Sequence, residues 1–175
     1  MNTIRQHTQG MRLRRAAAGA LLILGSAFTQ AGEPAPFTGT WSVSWCNKAR
    51  PDQACGGFTV HLLQQGSRLC GAHSGATPNL SRLDEGGDQS IVGTVAADTA
   101  VLTIRSGRNN SVHLVTAHLQ GGALDWQLTD TVLKSDTDTE VIPTREALTK
   151  AATAAPAQGF DAMHKACLAR WQLGR

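Results

Sequence analysis

The chain has 175 residues, with 16 Lys and Arg against 13 Asp and Glu, a formal charge of +3. Hydrophobic residues make up 41% of it, among them four Trp and four Phe but no Tyr, and there are 18 Gly and four Cys. The length suits one domain with its own core, and frequent Gly suits tight turns between short strands.

The first predicted element is a targeting segment over residues 1–31. Arg12, Arg14 and Arg15 precede an uncharged apolar stretch, residues 16–28 (AAAGALLILGSAF), and small residues follow. That stretch has the length of a signal-peptide core and is shorter than the ~20 residues a bilayer-spanning helix needs. Cleavage after Ala31 leaves 144 residues, and an uncleaved membrane anchor is the alternative reading. Arg5, Arg12, Arg14 and Arg15 leave with the segment and no acid does, so residues 32–175 keep 12 basic and 13 acidic side chains. The basic excess therefore gives no reason to expect nucleic acid as a partner; with no Cys at the cut to carry a lipid, no stable membrane anchor is expected after cleavage.

Residues 39–45 (GTWSVSW) alternate strictly, with Trp41, Val43 and Trp45 on one face, as a half-buried strand requires. A loop at 46–57 is bracketed by Cys46 and Cys55, and alternation resumes at Phe58, Val60 and Leu62. Gln65-Gly66-Ser67 turns the chain into an arm at 68–73, and residues 74–88 read as a long polar loop. Two hairpins follow, 90–96 with 99–105 and 111–119 with 123–129, joined by the turn residues 106–110 (SGRNN). These are seven strands, with Val141-Ile142 a weak eighth. Short connections favour antiparallel neighbours, and closing the meander removes its exposed edges. The expected fold is mainly β, an antiparallel meander closing into a small up-and-down barrel over residues 32–148; an open sheet or a sandwich is the alternative.

Residues 149–159 read as an Ala/Pro linker. Phe160, Met163, Cys167 and Trp171 then recur at helical spacing, which predicts one amphipathic C-terminal helix over 160–172, docked on the barrel. An even number of cysteines in an exported chain points to two disulfides. Cys46–Cys55 would close a short loop and Cys70–Cys167 would pin the helix to the third strand. Cys55–Cys70 is the rival pairing, and buried free thiols are the remaining alternative.

Motifs for chemistry are weak. His61, His73, His113, His118 and His164 show no metal-ligand spacing, and His113 and His118 fall on opposite phases of one strand. A nucleophilic cysteine needs a free thiol. The run Asp136-x-Asp138-x-Glu140 lacks the Gly and terminal Glu of a calcium loop. Asp84-Glu85-Gly86-Gly87-Asp88 reads as solvated loop acids. No catalytic residue, metal or cofactor is assigned. Arg108 and Asn109, in a Gly-containing loop, are candidates for contacting a partner, and Asp84 and Glu85 are further candidates.

The segment Phe37-Thr-Gly-Thr-Trp41, the hairpins after it and Leu124-Asp-Trp126-Gln-Leu128 resemble the lipocalin and avidin-like class of meander barrels. In those families a Gly-x-Trp on the first strand caps the barrel, which implies that role for Gly39-Thr-Trp41. The Tyr and paired Trp of an avidin pocket are missing, so the resemblance does not extend to biotin. The chain looks more like exported, uncharacterised bacterial proteins of the same architecture.

The functional expectation is an exported module, periplasmic or secreted, that binds or inhibits another protein without catalysis, as in immunity against a toxin or a cell-wall hydrolase. The alternative is a carrier of small hydrophobic ligands, its cavity lined by Trp41, Val43, Leu102 and Trp126.

Overall fold

The computed structural model describes residues 35–135, 141–152 and 160–173. The expected targeting segment, the acids Asp136, Asp138 and Glu140, and most of the expected linker lie outside the described residues.

Among the described residues, nine strands and one α-helix form in chain order: β1 (Gly39–Trp45), β2 (Gly56–Gln65), β3 (Arg68–Ala76), β4 (Leu83–Glu85), β5 (Ile91–Ala96), β6 (Thr99–Arg105), β7 (Val112–Gln120), β8 (Ala123–Leu133), β9 (Arg145–Lys150) and α1 (Phe160–Leu173). The order around the sheet is β2-β1-β9-β8-β7-β6-β5-β3, all antiparallel, and β2 pairs again with β3. The eight strands thus close into a barrel, and β4 lies outside it as an extra strip on the end of β3.

Alternation decides which side chains fill the interior. Phe58, Val60 and Leu62 of β2, Ala100, Leu102 and Ile104 of β6, and Leu124 and Trp126 of β8 are buried. The Trp126 ring meets Phe58 edge-on, with centroids 5.3 Å apart, and its indole N–H donates to the Pro143 carbonyl at 3.1 Å. Trp41 is also buried; its indole N–H donates to the Phe37 carbonyl at 2.9 Å, and the Lys150 ammonium sits 4.9 Å from the ring centroid. An indole N–H left without an acceptor would offset much of what burying the ring contributes, so these bonds are part of the packing. Gly121 and Gly122 supply the two positive φ angles, 58° and 84°, in the turn between β7 and β8.

The helix docks as its spacing predicts. Met163, Cys167 and Trp171 are buried with Cys70, against Leu63, Ala72 and Phe160. Cys70 therefore points outward from the barrel wall, while Leu69 beside it points into the core. Disulfides join Cys46 to Cys55 and Cys70 to Cys167, with Cα separations of 4.3 and 5.8 Å. Arg68 completes the helix contact: its guanidinium lies 5.5 Å from the centre of the Trp171 ring and donates to the Trp171 carbonyl at 3.4 Å.

Three expectations are corrected. The stretch 74–88 is not one loop: residues 74–76 finish β3, a 3-10 turn forms at Pro78–Leu80, and β4 follows. The eighth barrel strand is β9 rather than Val141-Ile142. Those two residues are buried without joining a ladder, whereas Leu148 is the buried side chain of β9. Thr149 and Lys150, assigned to the linker, belong to β9 and pair with Ser42 and Trp41 to complete the barrel.

Candidate functional site

The site arises where one strand edge changes partner. Along this edge β3 pairs with β5 from Arg68 to Gly71, then with β4 from Ser74 to Ala76. His73 falls at the hand-over. Its carbonyl accepts the Gly86 N–H at 3.0 Å and its own N–H donates to Ser90 Oγ at 3.2 Å, so the segment between β4 and β5 supplies both backbone partners. Gly86 is required there because a Cβ would overlap Ser90 Oγ and the His73 ring.

Side chains continue the connection. Ser90 Oγ lies 2.9 Å from His73 Nδ1, and His73 Nε2 lies 3.4 Å from Asp84 Oδ1. The second distance is electrostatic contact rather than a formed hydrogen bond. Nε2 is the one buried side-chain nitrogen or oxygen among the described residues with no hydrogen bond. Asp84 accepts the Ser106 hydroxyl at 2.6 Å on Oδ2 and the Gly107 N–H at 2.8 Å on Oδ1. Ser106 Oγ in turn accepts the N–H groups of Arg108 and Asn109, each at 3.2 Å. Burial alone would push the Asp84 carboxyl up; the facing His73 imidazole, the Ser106 hydroxyl and the Gly107 N–H outweigh it, and the pKa falls below its usual value of 3.8. The carboxylate is thus held ionised at 1% exposure by donors aimed at it.

His113 is a useful contrast at the same end of the barrel. It is also buried, but Ser111 Oγ meets its Nε2 at 2.9 Å and Thr131 Oγ1 meets its Nδ1 at 3.0 Å. Both of its ring nitrogens are engaged by hydroxyls, as suits a fixed packing residue. His73 has a hydroxyl on one nitrogen and a carboxylate near the other.

Outside this network is a cleft of about 490 Å³, lined by Gly87 to Ser90, Arg105 to Gly107, Asn110 and Ala166 of α1. Arg105 donates to Asn110 Oδ1 at 2.8 Å, and Arg170 of α1 donates to Gln89 Oε1 at 3.3 Å. Apart from Ala166 the lining is Gly and polar residues.

The residues singled out in the sequence fall in different places. Asp84, Glu85, Arg108 and Asn109 do come together: Gly107 binds Asp84, and Arg108 Nη1 donates to the Leu83 carbonyl at 3.4 Å. Glu85 and Arg108 are exposed and Asn109 is half-buried. Asp84 is a correction, since it is buried within the network and cannot meet a partner or solvent. Trp41, Leu102 and Trp126 lie in the barrel interior, and Val43 is half-buried against the same core. His73, Ser90 and Ser106 were missed. The only sequence signal was their place beside two Gly-containing turns, and nothing in their spacing links positions 73, 84, 90 and 106.

No metal-binding group of three His, Cys, Asp or Glu occurs among the described residues, and no helix among them is long and apolar enough to cross a membrane. No family model, curated protein or solved structure matches the chain. What fold and site define is a closed eight-stranded barrel with two disulfides, of the kind formed in oxidising surroundings. Its buried polar side chains among the described residues, His73, Asp84, Ser106, Ser111 and His113, are gathered at one end.

Proposed function

We propose that this is an exported binding module, periplasmic or secreted, that contacts another protein through the end of the barrel formed by β4, residues 86–90 and residues 106–110. The observation that carries this reading is the contrast between a filled interior and a rigidly built polar end. Trp41, Leu102, Trp126 and Phe58 occupy the space a carried ligand would need, which weighs against the hydrophobic-carrier alternative. At the polar end, a buried network fixes β4, the end of β6 and the loop after it, which expose Glu85, Arg105 and Arg108, and rigid segments bind with less loss of entropy. An immunity or inhibitor role fits this scaffold by analogy of architecture alone, as does kinship with lipocalin and avidin-like barrels.

The test compares two variants as immobilised bait in periplasmic extract. Glu85→Lys with Arg105→Glu inverts the sign of two charges at the polar end; Gln120→Arg alters an exposed position at the opposite end, where β7 stops. A partner retained by the wild type and by Gln120→Arg, and lost at least tenfold from the inverted variant, supports the reading. Retention of no protein, or equal retention by all three, refutes it.

A further inference from the structure

Ser90, His73 and Asp84 stand in the order of an acyl-transfer relay: hydroxyl, imidazole, carboxylate. Ser90 Oγ is 2.9 Å from Nδ1, and the far nitrogen is 3.4 Å from Asp84 Oδ1. The hydrogen positions follow from the partners. Ser90 Oγ already accepts the His73 backbone N–H at 3.2 Å, so its own proton is free to go to Nδ1. Nε2 then carries the ring hydrogen and directs it at an acceptor-only carboxylate. This is the tautomer a general base needs, with the carboxylate orienting it and stabilising the imidazolium. The 3.4 Å contact is long, as such contacts commonly are before substrate binds.

Position matters as much as order. Ser90 and Ser106 line the cleft, whereas His73 and Asp84 lie behind it and are screened from water. Ser90 is held from both sides, its N–H donating to the Gly87 carbonyl at 2.9 Å and its carbonyl accepting the Arg105 N–H at 2.8 Å. Gly87 has open space where a side chain would be, which keeps the mouth clear. Arg105 and Asn110 line the same cleft and offer donors to a developing oxyanion.

We propose that Ser90 is a nucleophile and that this end of the barrel hydrolyses short acyl esters of polar alcohols. Ser90 Oγ adds to the ester carbonyl carbon as its proton passes to His73 Nδ1. The tetrahedral adduct expels the alcohol, which takes that proton, and leaves acyl-Ser90. Water adds to the acyl group by the same route, giving the carboxylic acid and restoring the serine. Asp84 touches no substrate and is a positioning residue. The short acyl group follows from the lining, because a cleft of Gly, Asp88, Gln89, Arg105 and Asn110 provides no apolar channel for a long chain. The inference goes beyond binding, and rests on the proposed function only in using the same end of the barrel.

The experiment treats the full chain, disulfides intact, with an ethoxy fluorophosphonate and locates the label by peptide mass spectrometry; hydrolysis of p-nitrophenyl acetate and p-nitrophenyl laurate is measured in parallel. A label on Ser90, hydrolysis of the acetate in preference to the laurate, and a loss of at least about a hundredfold in Ser90→Ala are expected. Ser74→Ala, at an exposed serine, keeps the wild-type rate. Asp84→Asn slows labelling and shifts its pH profile, which a purely structural clamp would not do. The wild-type labelling site decides the matter even if a variant misfolds. No label, a label on another serine, or undiminished hydrolysis by folded Ser90→Ala overturns the proposal. Partner retention by Ser90→Ala reports separately on binding, so either reading can fail alone.

Discussion

Removing each disulfide in turn separates their contributions. Cys46 and Cys55 are 9 positions apart, Cys70 and Cys167 are 97. If a disulfide acts by restricting the unfolded chain, the loop lengths give about 2.7 kcal/mol for the first and about 4.7 kcal/mol for the second at 25 °C. The surroundings push the same way. Cys46 and Cys55 are exposed, so their replacement by Ala removes little packing, whereas Cys70 and Cys167 are at 0% exposure beneath the helix. Cys70→Ala/Cys167→Ala is therefore expected to lose at least about 2 kcal/mol more than Cys46→Ala/Cys55→Ala. The assay is equilibrium urea unfolding followed by Trp fluorescence and far-UV circular dichroism, with m-values compared to check that each variant unfolds in one step. An equal loss in the two variants, or a larger one in Cys46→Ala/Cys55→Ala, would refute the loop-length argument.

Three further predictions concern the barrel and its polar end. Asp84→Ala leaves the Ser106 hydroxyl and the Gly107 N–H without their acceptor and should cost about 1–3 kcal/mol in urea unfolding. Because the folded Asp84 pKa lies below 3.8, its contribution is complete above that pH and is lost as the pH falls through the folded value; thermal melting between pH 5 and pH 2 should show a steeper acid limb in the wild type than in Asp84→Ala. Burial likewise holds the His61 pKa below 6.5, so this histidine's contribution is complete above pH 6.5 and declines on acidification through its folded pKa, an effect that His61→Gln should flatten. Gly71→Ala ordinarily stabilises a strand by about 0.5–1 kcal/mol. Here the new Cβ would overlap the His61 carbonyl oxygen, so the expected change is a loss of about 1–3 kcal/mol. A raised melting temperature in Gly71→Ala would contradict that close approach.

The barrel was legible wherever one face of a strand is apolar. β1 and β6 have the bounds the alternation predicts, because Trp41 on one and Leu102 and Ile104 on the other leave no choice of face. β4 and β9 were hidden for opposite reasons. In Leu83-Asp84-Glu85 the acid is buried and the leucine exposed, inverting the usual pattern. In β9 a single buried residue, Leu148, carries the strand among charged and small neighbours. The helix and its disulfide were legible because the 3.6-residue period places Cys167 on the buried stripe. The polar network was not, since it depends on the change of partner at His73, and only three-dimensional pairing brings positions 73, 84, 90 and 106 together.

The junction between β1 and β9 has a consequence in time. A ribosome delivers β1 long before β9, so β2 can cover one edge of β1 at once while the other waits for residues about a hundred positions later. Until then the newborn chain has a bare strand edge, and Cys70 is also without its eventual mate. Both hazards end with the arrival of the last quarter of the chain. Truncating the tail would strand the nascent protein in that vulnerable interval, with Cys55 and Cys70 close enough in sequence to couple wrongly, and chaperone or isomerase dependence should rise accordingly.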